Sequence, residues 1–297
     1  MKAAFLPDRG IVKISGPDAR SFLNGLVTSD LDKVATGRAR FAALLTPQGK
    51  IIVDFLISEP SAGQGGGFLL DCPAALAKPL ADRLGFYKLR AKVTVENLSN
   101  VMGVLAVWDE TSKPVADIVL DLAFADPRNA ALGWRVPVPE AVAAKAALLA
   151  GATLVDASEY DAHRIACGVP DGGADFQYND AFPHETNMDR MSGVDFDKGC
   201  YVGQEVVSRM QHRGTARTRV VSVAYDGAPP PANSDVMAGE KKLGTTGSSA
   251  GQQGLALLRL DRVAEAQAAN QPLAANGVTL RVTSDVTPPD HSAKAAG

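Results

Sequence analysis

The densest chemistry in the chain sits at Lys198-Gly199-Cys200-Tyr201-Val202-Gly203-Gln204-Glu205. Two glycines bracket a cysteine and a tyrosine there, so the backbone is held tightly just before a helix predicted to begin near Gly203. A thiol ahead of a helix N-terminus and two residues from an ammonium is in a setting that favours thiolate. Such a thiolate serves redox, metal or covalent chemistry. The same residue types also suit a small side chain buried in a tight turn. Val206, Val207 and Met210 form the expected buried face of the helix, and Glu205 and Arg209 stand at i,i+4 in the favourable order.

Charge is partitioned at the same junction. Residues 175–197 carry Asp175, Asp180, Glu185, Asp189, Asp195 and Asp197 against Arg190, a net −5. Residues 198–219 carry Lys198, Arg209, Arg213, Arg217 and Arg219 against Glu205, a net +4. The basic stretch lacks interleaved aromatics, so it reads as a solvated face or an anion-tail contact and not as a reader of bases. His184 or His212 could act as base to Cys200 in a cysteine hydrolase, although nothing in the spacing fixes that couple. No histidine shows metal-ligand spacing, so no resident metal is expected. No phosphate-cradling glycine motif opens a helix after a strand. Cys72 and Cys167 read as structural, one at a strand end and one on a helix face.

The elements that position these residues follow from periodicity. Ser15-Gly16-Pro17-Asp18 starts a helix whose face is Ala19, Phe22, Leu23 and Leu26. Strands follow at Phe41–Leu45 and Ile51–Ile57, joined by the type I turn Thr46-Pro47-Gln48-Gly49. After the glycine-rich loop 59–67 come Phe68-Leu69-Leu70 and a helix over 73–84. Tyr87–Val95 alternates as a half-buried strand with Lys88, Arg90 and Lys92 on its outer face. Strands are expected at 101–108, 117–122 and 132–136, and helices at 140–149 and 156–167. Paired strands with occasional helices predict an α+β fold with an antiparallel sheet. Beyond Arg219, short strands at 220–225, 254–260 and 278–283 predict a separate all-β domain.

At 297 residues, 46% hydrophobic and 21% charged, the chain is a globular protein of about two domains and not a disordered one. No apolar run approaches the roughly 18 residues of a membrane helix, and a net charge of −3 predicts neither a membrane nor a nucleic-acid partner. Three cysteines, an odd count, argue against a disulfide framework. With no signal-peptide core at the start, they point to a reducing cytoplasm.

The 198–205 octapeptide, followed by Arg213-Gly214, resembles the signature of YgfZ-type folate-binding proteins. These are relatives of the glycine-cleavage T-protein (aminomethyltransferase), implicated in iron–sulfur cluster assembly and tRNA modification. Supporting stretches occur in the family's order: 22–30, 44–50, Tyr87-Lys88-Leu89-Arg90, 164–170 and 183–187. The resemblance implies a three-lobed cloverleaf around a central opening for tetrahydrofolate or a one-carbon derivative. Two interleaved α+β lobes would span 1–215, a C-terminal β-barrel 216–286, and a disordered tail 287–297. It makes Asp54, Asn24 and Asn187 candidates for the pterin edge, Tyr87 a ring-packing residue, and Arg90 or Arg164 a holder of the glutamate tail. Cys200 would be the rim thiol that Lys198 keeps ionised, with Tyr201, Gly203, Gln204 and Glu205 completing the motif.

Three departures separate the chain from the T-protein. Val53-Asp54 stands where that protein has paired aspartates, Ala166 where it has the glutamate of an Arg-x-Glu segment, and Cys200 where it lacks cysteine. Each points away from glycine cleavage. The expected function is therefore an accessory factor that binds tetrahydrofolate and assists assembly or repair of iron–sulfur clusters in client enzymes, tRNA-modifying enzymes included. Iron–sulfur carriers or clients would face Cys200, and a partner or small thiol would complete the cluster's ligands. A folate-dependent aminomethyl or one-carbon transferase is the alternative.

Overall fold

The computed structural model describes residues 1–109, 122–214 and 216–284. The strand expected over 117–122, save its last residue, and the tail expected from 287 lie outside the described residues.

β1 (Lys2–Leu6) and β2 (Arg9–Ser15) are joined by a tight turn yet enter different sheets. The first sheet continues through α1 (Ala19–Asn24), β3 (Arg40–Leu45), β4 (Ile51–Ser58), β5 (Phe68–Pro73), α2 (Ala74–Tyr87) and β6 (Thr94–Asn97). Its order is β3-β4-β5-β2-β6, antiparallel throughout. The second adds β7 (Gly103–Trp108), β8 (Phe124–Ala125), β9 (Trp134–Val138), α3 (Ala143–Leu149) and β10 (Thr153–Leu154). Its order is β10-β1-β7-β9-β8, with only β10 parallel to its neighbour. After α4 (Ala157–Ala166) and α5 (Gln204–Arg213), six strands close a barrel. These are β11 (Thr218–Tyr225), β12 (Asp235–Ala238), β13 (Lys241–Ala250), β14 (Gln253–Arg259), β15 (Leu273–Ala275) and β16 (Val278–Val282). The α+β fold with a C-terminal barrel is as expected, and the first part proves to contain two sheets.

Both faces of the first sheet are buried, and period-2 alternation sorts its side chains. Val12, Ile14, Val53, Phe55, Leu70 and Cys72 lie under the helices, while Phe41, Ala43, Leu45 and Leu56 pack towards the long segment that precedes α5. A one-residue slip would exchange the two sets, so register is strongly specified. The alternation also turns Asp54 and Asp71 away from the helical side. The outer edge of β3 is closed by the segment after α1: Val27 bridges to Leu44, and the Thr28 amide donates to the Ala43 carbonyl at 3.1 Å.

Two expectations need correcting. Tyr87–Val95 is not a strand: α2 runs to Tyr87, the chain turns, and β6 begins at Thr94. Ala77, Leu80 and Leu84 continue a helical stripe to half-buried Tyr87, and this burial overrides the local alternation. Nor is the C-terminal part all-β, since α6 (Leu260–Ala268) buries Leu260, Val263 and Ala266 against the barrel.

Where the sheets meet, Ile11 and Leu69 of the first pack with Leu6, Val104, Ala106 and Trp108 of the second, and a network of buried charges lies beside this apolar seam. Arg9 donates to Asp71 at 2.6 Å, and Arg135 reaches Asp71, Asp126 and the Tyr160 hydroxyl. Arg128 clasps Asp126 through two nitrogens, at 3.0 and 2.8 Å. Burial pushes the Asp126 carboxyl up, but Arg128 and Arg135 outweigh it and hold the group at about 2. A pKa below the unfolded value of about 3.9 gives a contribution that is complete above that value and lost as pH falls towards 2. Urea unfolding across this range is expected to show wild type losing about 2 kcal/mol more than Asp126→Asn as pH drops from about 5 to about 2.

Candidate functional site

Cys200 is exposed, and Lys198, Tyr201, Gly203 and Gln204 on either side of it are tied down. Gly203 holds φ +83, and a Cβ there would stand 2.5 Å from the Thr46 carbonyl and 3.1 Å from Gly49 Cα. Only glycine lets the start of α5 sit this closely on the Thr46–Gly49 turn. Gln204 accepts the Tyr201 amide proton through its side chain at 3.2 Å. The Tyr201 ring is buried with Leu45, Ile51 and Val207, and burial pushes its hydroxyl up to about 12. Val207 forms the buried face of α5 as expected, with Val206 and Met210 half-buried.

Lys198 is buried, and its ammonium donates to the carbonyls of Asn24, Val27 and Ser29 at 2.8, 2.7 and 2.9 Å. All three of its protons are therefore committed. Burial pulls it down to about 8, while Asp30, Asp195 and Asp32 act the other way. The expectation that Lys198 serves to ionise Cys200 is thus corrected: the ammonium is turned inward and clamps the loop to the end of α1. Of the other thiols, Cys72 is buried and pushed up to about 12 by that burial, and Cys167 is half-buried.

A second feature lies where the two sheets meet α4, a cleft of about 220 Å³ lined by Arg9, Arg128, Arg135, Tyr160, Arg164 and Asp171. Near it the buried Asp54 accepts a 2.6 Å hydrogen bond from the Tyr178 hydroxyl. Arg9 and Asp171 both lie close enough to Asp54 to feel its charge. Burial raises the Asp171 carboxyl, with Arg164 and Arg9 pulling against it. Burial and then Asp54 push the Tyr178 hydroxyl far up, so it stays a donor.

The other expected ligand residues do not gather here. Asn24 accepts from the Leu31 amide through its side chain, and Asn187 bridges the Val220 carbonyl and Arg219, so both brace the backbone. All five donors of Arg164 are committed, to Asp161, the Val169 carbonyl, Asp175 and Ser248, which leaves none for a glutamate tail. Tyr87 and Arg90 stand at the far tip of α2, and Glu205 pairs with Arg209 at 2.5 Å on the surface. Of the histidines named for a cysteine hydrolase, His184 is buried and bonded to Gln211 at 3.0 Å, and His212 is exposed. Reading the sequence missed Arg9, Arg128, Arg135, Asp171 and Tyr178. The one signal for this region was the odd acid at Asp54 and again at Asp71, each in an otherwise apolar strand.

Comparison with known proteins agrees with this architecture. Residues 9–135 match the GCVT N-terminal domain, and residues 217–289 match the CAF17 C-terminal beta-barrel domain. The glycine cleavage system aminomethyltransferase T of Bartonella henselae superposes with a TM-score of 0.74 over 95% of this chain and 85% of its own, at 16% identity. That likeness is one of fold. The mitochondrial iron-sulfur cluster assembly factor IBA57 of Mus musculus is 34% identical over 281 residues, covering 87% of this chain and 77% of the mouse protein. Its Homo sapiens counterpart is 33% identical with the same coverage. The Mycosarcoma maydis homolog is 37% identical over 243 residues, and the match spans only 60% of that protein.

Two expectations change. The relatives described above are IBA57 factors, which makes the YgfZ-type resemblance of the octapeptide more specific: the match is to the related IBA57 family. They are also mitochondrial by name, which overturns the cytoplasmic expectation. Free thiols report reducing conditions, and such conditions are not confined to one compartment. The chain belongs to the family of IBA57 iron–sulfur cluster assembly factors.

Proposed function

We propose that this chain assists assembly or repair of iron–sulfur clusters in client proteins and that Cys200 is the thiolate that meets the cluster. The observation that carries the reading is the contrast at 198–205: Lys198, Tyr201, Gly203 and Gln204 are buried or braced, Glu205 is paired with Arg209, and the thiol of Cys200 is presented outward between these fixed points. Preorganising the ligand limits the ordering cost when a cluster arrives. Iron–sulfur clusters are held by several thiolates, so a carrier or client protein, or a small thiol, supplies the remaining ligands. Among clients, tRNA-modifying enzymes follow from the YgfZ-type resemblance alone.

The central cleft is the proposed place for tetrahydrofolate or a one-carbon derivative, and its residues suit that group. The carboxylates of Asp171 in the lining and of Asp54 near it match the N–H edge of a reduced pterin, and Arg9 and Arg128 match the anionic tail. Bound folate would supply a one-carbon carrier, and the chain's part is to orient it. A second reading, one-carbon transfer of the aminomethyltransferase type, rests on the buried Asp54–Tyr178 pair.

Three outcomes are expected. In anaerobic transfer of a cluster to an apo client, followed by visible absorption, Cys200→Ser lowers the yield at least about tenfold without changing the fold; wild-type yields from that variant would end the thiol reading. Lys198→Met leaves three carbonyls without their donor and costs about 2–4 kcal/mol in urea unfolding, with faster amide exchange at 199–202. Anaerobic calorimetry with tetrahydrofolate shows saturable one-to-one binding that Asp54→Asn weakens about tenfold, the loss of one buried charged hydrogen bond. No heat at high ligand concentration would remove folate from the reading.

A further inference from the structure

We propose that the tip of α2 is a docking surface for an acidic protein partner that brings the remaining cluster ligands to Cys200. The inference deepens the assembly reading and rests on it for the partner's cargo.

α2 ends at Tyr87, and the chain turns before β6 begins at Thr94. Tyr87 packs back on the core, but Phe86 and Leu89 stand 77% and 86% exposed. Leu89 also holds φ +38, a left-handed conformation that L residues seldom adopt. Two large apolar side chains left in water, one of them on strained backbone, have the character of interface anchors. Arg83, Lys88, Arg90 and Lys92 surround them, all exposed. The carboxylate on this end of the helix, Asp82, pairs with Lys78 at 2.6 Å. Asp18 accepts the Lys92 backbone amide at 2.7 Å. The tip is therefore strongly cationic in a chain whose net charge is −3, and its complement is an acidic surface with apolar pockets.

The placement of this tip connects it to the thiol. The Asp18–Lys92 bond fixes the tip beside the start of α1, and the Lys198–Asn24 bond fixes the Cys200 loop at the end of α1. Six helical residues span about 9 Å. One partner burying about 800 Å² can cover both. A nucleic acid fits less well, because it would stack a base on Phe86 alone and leave Leu89, which offers no stacking face, uncovered. A bilayer would accept the anchors but brings no ligands for the cluster.

The test uses the full chain, free of iron and cluster, at low ionic strength. The probes are a short labelled Glu/Leu amphipathic peptide, its Lys/Leu counterpart, anionic phosphatidylglycerol vesicles and a short single-stranded RNA. The Glu/Leu peptide is expected to bind saturably and in preference to the other three. Phe86→Ser with Leu89→Ser, and separately Arg83→Glu with Arg90→Glu, should each weaken it by roughly tenfold or more without altering thermal unfolding. Equal binding by wild type and both variants, or preference for vesicles, RNA or the Lys/Leu peptide, overturns the proposal. Because no cluster is present, failure here leaves the Cys200 reading intact, and failure of the cluster-transfer assay leaves this docking face intact.

Discussion

The centre of the molecule is held by charges that have nowhere else to go. Asp71 and Asp126, on different sheets, are shared among Arg9, Arg128 and Arg135. Arg164 uses every donor it has to join α4, the segment after it and the barrel at Ser248. Burying such groups is costly unless each is paired with good geometry, and breaking one pair leaves an uncompensated charge. The network therefore adds specificity of arrangement more than raw stability. It links the two sheets to each other and α4 to the barrel, beside the apolar seam around Ile11 and Trp108, and it lines the cleft.

The same logic governs the long irregular segment between α4 and α5. Its acids are answered from elsewhere in the chain: Asp175 by Arg164 and Ser248, Asp180 by Lys50, Asp189 by Arg219, and Asp195 by Lys33. The partition of charge along the sequence is thus largely an internal contract. Once these pairs form, the segment is anchored to the first sheet and to the barrel, and α5 starts from a fixed point.

Legibility in the sequence followed the range of the interactions. Only the local part of the Cys200 seat could be read, namely glycines before a helix start and an i,i+4 pair; the Lys198 clamp on Asn24, Val27 and Ser29 and the packing of Gly203 on Thr46 and Gly49 are long-range and were missed. The α+β class was visible in periodicity. The lining of the cleft was not, because Arg9, Arg135 and Tyr178 reach their partners across distant parts of the chain, and a lone arginine in sequence has no address. Arg164 shows the converse error, where the right position was assigned to a ligand although the fold already uses all of it. Tyr87–Val95 was misread because its alternation and its helical stripe compete, and burial of Leu84 and Tyr87 decides for the helix.

The clamp made by Lys198 has a reach beyond the thiol it seats. Two of its three acceptors, Val27 and Ser29, belong to the short segment that occupies the free edge of β3. An uncovered strand edge is a template on which another chain can pair, the usual start of aggregation. The segment that covers this edge is kept in place by a side chain of the cysteine loop, so an intact loop is also a guard against self-association. Disturbing the loop would therefore unseat Cys200 and uncover the β3 edge together, from one cause.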